Sequence, residues 1–222
     1  MNNRPLTSTP IHLTYSLKGS IPSHKLEAIG KKYAEAKYRL NNIFPLSDRH
    51  EGSIRYTEYS TALTKLAMKY YIAYDKMLDQ PETTPRFLAS KEAKKIVIDS
   101  WHHLAKLEGL EIYAISVMSN HVHVILRAAD EKVTLSLKDL MSRHKHFTAT
   151  QINKLQGKKG RRVWAVQVWD RDIRVGKFHT VLWYVLNNPK KAGLTTGDVL
   201  DWPGNWYDPR LEQEYIRPYR AA

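Results

Sequence analysis

Across 222 residues the chain carries 35 lysines and arginines against 22 aspartates and glutamates, a net charge of +13 and a pI near 9.7. That balance points to a polyanionic partner, nucleic acid first. The absence of cysteine excludes disulfides, thiolate nucleophiles and cysteine-held zinc, and no apolar run reaches the roughly 18 residues a membrane span needs. The length suits one domain over residues 1–222 with an insertion. The polar stretch Met1–Pro10 lacks the apolar core of a secretory signal, so a cytoplasmic, nucleoid-associated protein is expected.

Residues 1–9 read as disordered. Ile11–Leu17 alternates as a strand, with Ile11, Leu13, Tyr15 and Leu17 on one face. Residues 24–42 suit a basic helix with Leu26, Ile29, Tyr33, Ala36 and Leu40 at helical spacing. A loose stretch around Pro45 and Gly52 follows, then a helix from about Ser60 to Leu78 with Leu63, Leu66, Ala67, Tyr70, Tyr74 and Met77 on one stripe. Pro81–Pro85 should break it. Ser90 caps a third helix whose buried face is Ala93, Ile96, Val97, Trp101 and Leu104, stopped by Gly109.

Leu110–Met118 and His121–Arg127 form two strands joined by a tight turn at Ser119-Asn120. On the second strand Val122, Val124 and Leu126 point into a core, while His121, His123, Ile125 and Arg127 point the other way. Two imidazoles two residues apart on a strand stand side by side, the arrangement of a ligand pair for one divalent ion. Half-buried, structurally satisfied histidines are the competing reading of that pair alone.

Ser136 and Asp139 open a helix as a capping box, and Gly157 closes it. Between Leu140 and Trp169 there is no carboxylate, while Arg143, Lys145, Lys154, Lys158, Lys159, Arg161 and Arg162 fall in that span. Such a one-signed stretch attracts phosphates. Val163–Trp169 is a fourth strand, and a last helix covers about Lys177–Asn188, ended by Pro189 and Gly193. Tyr184 and Asn188 lie one turn apart on it, off the apolar face formed by Phe178, Leu182, Val185 and Leu186. The tail from Asp201 reads as loop with one short helix. The element order gives an α+β fold with a ferredoxin-like βαββαβ core, an antiparallel sheet, extra N-terminal helices at about 24–80 and a C-terminal helix bearing Tyr184.

These blocks resemble a known family. Met118-Ser119-Asn120-His121-Val122-His123-Val124-Ile125 is similar to the HUH motif (His, bulky hydrophobic, His) of single-tyrosine transposases. Trp183-Tyr184-Val185-Leu186-Asn187-Asn188-Pro189 and the following Lys190 to Leu194 resemble the tyrosine helix of the REP-associated tyrosine transposases. Val163-Trp164, Trp169-Asp170-Arg171-Asp172-Ile173-Arg174 and Asp201-Trp202-Pro203 resemble further blocks in the same order, over about residues 86–206. The resemblance implies a metal-dependent endonuclease and strand transferase acting on single-stranded, hairpin-forming DNA. Tyr184 would be the nucleophile that forms a 5′-phosphotyrosine link. His121, His123 and Asn188 would hold Mg²⁺ or Mn²⁺. Arg171 and Arg174, then Lys158, Lys159, Arg161 and Arg162, would contact phosphates. Among relatives the REP-associated branch is the more monomer-like, so a monomer is expected ahead of a homodimer. The alternative is a catalytically silent protein that binds hairpin DNA or RNA.

Overall fold

The computed structural model describes residues 4–80 and 85–220. The chain divides into two compact units, one formed by 1–20 and 84–222, the other by 21–83.

The first unit is an α+β fold around a five-stranded antiparallel sheet. Its strands are β1 (Ile11–Leu17), β2 (Leu110–Val117), β3 (His121–Ala128), β4 (Trp164–Asp172) and β5 (Asn205–Tyr207), in the order β4-β1-β3-β2-β5. The first four strands have the ferredoxin-like order, and β5 extends the edge beside β2. β4 runs through Asp172, three residues beyond the expected end at Trp169, because β1 continues to pair with it down to Ile11 opposite Asp172. β5 was not expected at all. Three residues are too few to show a period of two. It is held by pairing with β2 and by the Asn205 amide donating to Leu186 O and Val199 O, both at 2.8 Å.

One sheet face is covered by α3 (Lys91–Glu108) and α4 (Leu137–Leu155). Leu13, Tyr15, Leu17, Val122, Val124 and Leu126 enter the core there with Val97, Trp101, Leu137, Leu140 and Met141. The caps form as expected: Ser90 accepts from Ala93 N, Ser136 accepts from Asp139 N, and Gly109 ends α3 at φ 65°. The other face is covered by α5 (Phe178–Leu186), whose Val181, Leu182, Val185 and Leu186 pack with Ala114 and Ile125. A bulge at Tyr113 lets β2 serve both cores, placing Ile112 in the first and Ala114 in the second.

The N-terminal segment differs from expectation. Residues 4–9 are ordered, while residues 1–3 lie outside those described. Leu6 is buried and its N–H donates to Leu135 O, Thr7 O accepts from Ala128 N, and Arg4 pairs with Asp170 and Asp172 at 2.8 Å. Backbone bonding with chain more than 100 residues away leaves no local pattern to read. The tail continues from β5 through short helical turns at Pro209–Leu211, Glu212–Ile216 and Arg217–Arg220.

The second unit pairs α1 (Ser23–Ile43) with α2 (Ile54–Leu78). Leu26, Ile29, Tyr33, Ala36 and Leu40 are the half-buried stripe of α1, and none of its residues is fully buried. The Tyr33 and Tyr70 rings meet at 4.8 Å. α2 starts six residues before the expected Ser60, because Ser53 caps it by accepting from Tyr56 N at 3.0 Å. The break expected at Pro81–Pro85 falls on 81–84, outside the described residues.

Candidate active site

β3 supplies the first half of the site. Its alternation turns His121 and His123 to the face under α5, and both are buried. Their ring centroids are 4.9 Å apart and their planes cross at 83°. On either side of His123 stand Thr14 of β1 and Ser116 of β2, its register partners. The neighbouring strands thus present polar side chains to a buried imidazole where apolar ones would be usual.

Each imidazole is tied to the fold through Nδ1. His121 Nδ1 lies 2.7 Å from the Asn120 carboxamide oxygen. His123 Nδ1 lies 3.0 Å from Thr14 Oγ1 and 3.1 Å from His12 Nε2. His12 and His123 are stacked, with centroids 5.3 Å apart and planes within 21°. Burial, with the Lys191 cation second, pushes the His123 pKa down to about 3. His123 is therefore neutral at physiological pH, as a metal-ligating imidazole must be.

α5 supplies the second half. It is apolar nearly all round because it lies between the sheet and the tail, where Trp183 Nε1 donates to Tyr215 O at 3.0 Å. Tyr184 is the half-buried position in the otherwise buried run 181–186. Its ring stands edge-on to His123 at 6.0 Å and to His12 at 5.9 Å, with Lys191 Nζ 5.1 Å from its centroid. The structure therefore brings together the tyrosine and a strand histidine that are 61 positions apart in sequence.

The expected single helix through Asn188 is interrupted. α5 stops at Leu186, and Asn188 opens a short turn, α6 (Asn188–Lys191), with Pro189 in its first turn. Pro189 lacks the N–H that would continue the helical ladder. Asn187 keeps right-handed dihedrals (φ −83°, ψ −6°), so Asn188 still falls one turn beyond Tyr184. Asn188 is completely buried, and neither its Oδ1 nor its Nδ2 has a hydrogen-bond partner among the described residues. Asn187 is only half-buried. A buried carboxamide left in that state costs about 1–3 kcal/mol. Such a cost points to a ligand for the amide, and a carboxamide oxygen and imidazole nitrogens are donor types that suit Mn²⁺ or Mg²⁺.

The expected DNA-contacting cations separate into two groups. Arg171 pairs in register with His12, and Trp169 with Thr14, which puts both on the face that carries His123. Arg174 is exposed in the turn between β4 and α5. Lys158, Lys159, Arg161 and Arg162 lie in the connection from α4 to β4. Arg161 is engaged within the fold, bonded to Asn153 Oδ1 at 3.0 Å and Gln156 Oε1 at 2.6 Å, with its guanidinium 3.7 Å over the Phe87 ring. Arg143 pairs with Glu108, and Lys145 is half-buried and donates to Ala165 O at 2.8 Å. Lys154, Lys158, Lys159 and Arg162 are exposed in the carboxylate-free span, as is the ion-paired Arg143.

Sequence reasoning missed His12, Thr14, Asn120 and Lys191. The first two form the polar half of the alternation in Ile11–Leu17, a pattern that normally marks a solvent face. Here His12, Thr14 and Ser16 are all buried.

Residues 84–185 match the family described as transposase IS200 like. Among solved structures, the chain is similar to one described as the REP-associated tyrosine transposase bound to a REP hairpin: 14% identity, 92% of this chain and 80% of that one covered, TM-score 0.48. It is also similar to a crystal structure described as a candidate transposase from Deinococcus radiodurans R1: 14% identity, 85% and 97% covered, TM-score 0.40. A comparison with curated proteins finds no match. Among the described residues, no helix is long and apolar enough to cross a membrane.

Proposed function

We propose, supported by the match of residues 84–185 to the IS200-like transposase family, that this chain cleaves and rejoins single-stranded DNA at hairpin-forming sites through Tyr184. The observation that carries this is the Tyr184 ring beside His123 at 6.0 Å, with the unpartnered Asn188 amide one turn on. A half-buried tyrosine kept for packing would not need a buried imidazole pair beside it.

His121, His123 and Asn188 would hold a divalent cation, Mg²⁺ or Mn²⁺. When bound, the cation supplies Lewis-acid polarisation of the scissile phosphate and stabilises the charge that develops there. Tyr184 Oη attacks the phosphorus. Its phenolic proton passes to solvent, the Oη–P bond forms, and the P–O3′ bond breaks. The leaving 3′ oxygen takes a proton from water, which gives a free 3′-hydroxyl and a 5′-phosphotyrosine link. Attack of a 3′-hydroxyl on that link reverses the step and joins a new end. Arg171 and Arg174 suit contacts to the scissile strand, on the face and turn next to the site. Lys158, Lys159 and Arg162 suit phosphate contacts further along the hairpin, and Arg161 would act there through the shape of its loop.

The test uses labelled single-stranded hairpins with Mn²⁺ on a denaturing gel. A protein–DNA adduct is expected with the wild type and not with Tyr184→Phe or His121→Ala, while hairpin binding by Tyr184→Phe persists. An adduct retained by Tyr184→Phe would remove the assigned nucleophile. Salt-sensitive binding with no adduct on any hairpin would favour a silent hairpin-binding protein, which the basic span 140–169 also suits.

A further inference from the structure

The geometry points to His12, Thr14 and Asn120 as positioning residues that lock both metal-facing histidines in one tautomer, with the proton on Nδ1 and the Nε2 lone pair turned to the ion. The inference rests on the metal-site reading above and extends it to residues that would touch neither metal nor DNA.

A neutral imidazole carries one proton, and the partner of one ring nitrogen decides which atom holds it. For His121 the partner of Nδ1 is a carboxamide oxygen at 2.7 Å, which can only accept. Nδ1 must therefore be the protonated nitrogen, and Nε2 carries the lone pair. For His123 the partners of Nδ1 are the Thr14 hydroxyl at 3.0 Å and His12 Nε2 at 3.1 Å. Both can accept from one N–H at once, provided His12 holds its own proton on Nδ1. A proton on His123 Nδ1 suits both of these contacts and again turns the Nε2 lone pair to the ion.

The anchors lie on elements that cannot drift. Thr14 is the register partner of His123 across the β1–β3 ladder, and His12 stands two residues along the same face of β1. Asn120 occupies the turn before β3, where its backbone oxygen accepts from Leu17 N at 2.8 Å and Ser20 Oγ at 3.1 Å. All three side chains are buried, so water does not compete for the Nδ1 protons. Metal-bound histidines are commonly oriented by such outer partners, and losing one costs about 10–100-fold in metal affinity or activity.

Two measurements on the full chain test this. Long-range ¹H–¹⁵N NMR of the histidine rings, without metal at neutral pH, should show His121 and His123 protonated at Nδ1. Titration with Mn²⁺, followed by electron paramagnetic resonance, should show affinity about 10–100-fold weaker in Thr14→Val combined with His12→Ala. His12→Gln in the Thr14→Val background, which restores an acceptor, should recover most of the loss. Thr14→Val replaces the hydroxyl with a methyl of the same shape, so folding is preserved and checked by the NMR spectrum itself. An Nε2-protonated His123 in the wild type, or unchanged Mn²⁺ affinity in the double variant, would overturn the inference. His121→Ala with His123→Ala tests the underlying reading separately: if that pair still binds Mn²⁺ like the wild type, the metal site itself is misassigned.

Discussion

Replacing Asn188 by alanine should move stability in opposite directions with and without metal. The carboxamide is fully buried and neither polar atom has a partner among the described residues. Its removal relieves about 1–3 kcal/mol of unmet hydrogen bonding. The vacated space, roughly 40 Å³ at about 24 cal/mol per Å³, costs about 1 kcal/mol. In EDTA the variant should therefore match the wild type or exceed it by up to about 2 kcal/mol, a Tm rise of up to roughly 8 °C for a chain of this size. With Mn²⁺ at about 100 times its Kd the wild type gains about 2.7 kcal/mol, and the variant loses most of that gain. Scanning fluorimetry of both proteins in EDTA and in Mn²⁺ reads the four melting points. The expected pattern is a crossover, with the variant level or higher without metal and lower with it. A variant that melts well below the wild type in EDTA would show that the amide is a satisfied structural group, and the reasoning that makes Asn188 a metal ligand would fail.

Other consequences are equally direct. His123 and His144 are both held near pKa 3 by burial, against an ordinary 6.5. Each stays neutral in the folded chain and takes up a proton on unfolding below pH 6.5, so stability is full above that pH and falls as pH drops from 6.5 toward 3. The slope is about 1.4 kcal/mol per pH unit for each histidine. Urea melts at pH 7, 6 and 5 should show it, and His144→Gln, in the pocket formed by Tyr15 and Ser100, should make the dependence shallower. Gly204→Ala would place a Cβ 2.2 Å from Val117 O and 2.7 Å from Trp202 Nε1, and should cost about 1–3 kcal/mol in a denaturant melt. Lys158→Ala with Lys159→Ala should lower the log–log salt slope of hairpin binding by roughly 0.7–0.9 for each phosphate no longer neutralised, without abolishing adduct formation. An unchanged slope would take those lysines off the DNA.

How much of this was legible in the chain follows from the range of each interaction. β1, β2, β3, α3 and α4 were readable within a residue or two because period, cap and stop agree locally, as at Ser90, Gly109 and Ser136. The His121/His123 pair was readable for the same reason, since alternation alone places two side chains on one face of a strand. What lay beyond local pattern was decided by pairing across the fold. β4 extends to Asp172 because β1 is beside it, β5 exists because β2 offers an edge, and residues 4–9 are ordered by bonds to chain far away in sequence. The break before Asn188 was half visible, in Pro189, but the burial of its amide was not.

By itself, the sequence determined an α+β chain with a ferredoxin-like core, a basic surface, a histidine pair on a strand and a tyrosine on a late helix. Those are properties of composition and of periods between two and four residues. Only the tertiary structure decided that the tyrosine helix covers the histidine face, and that the polar half of β1 is buried beneath it as His12 and Thr14. The physical reason is that alternation says which side chains share a face. Which face meets which helix is set by strand order and register, and these are fixed by the whole sheet closing around two cores at once.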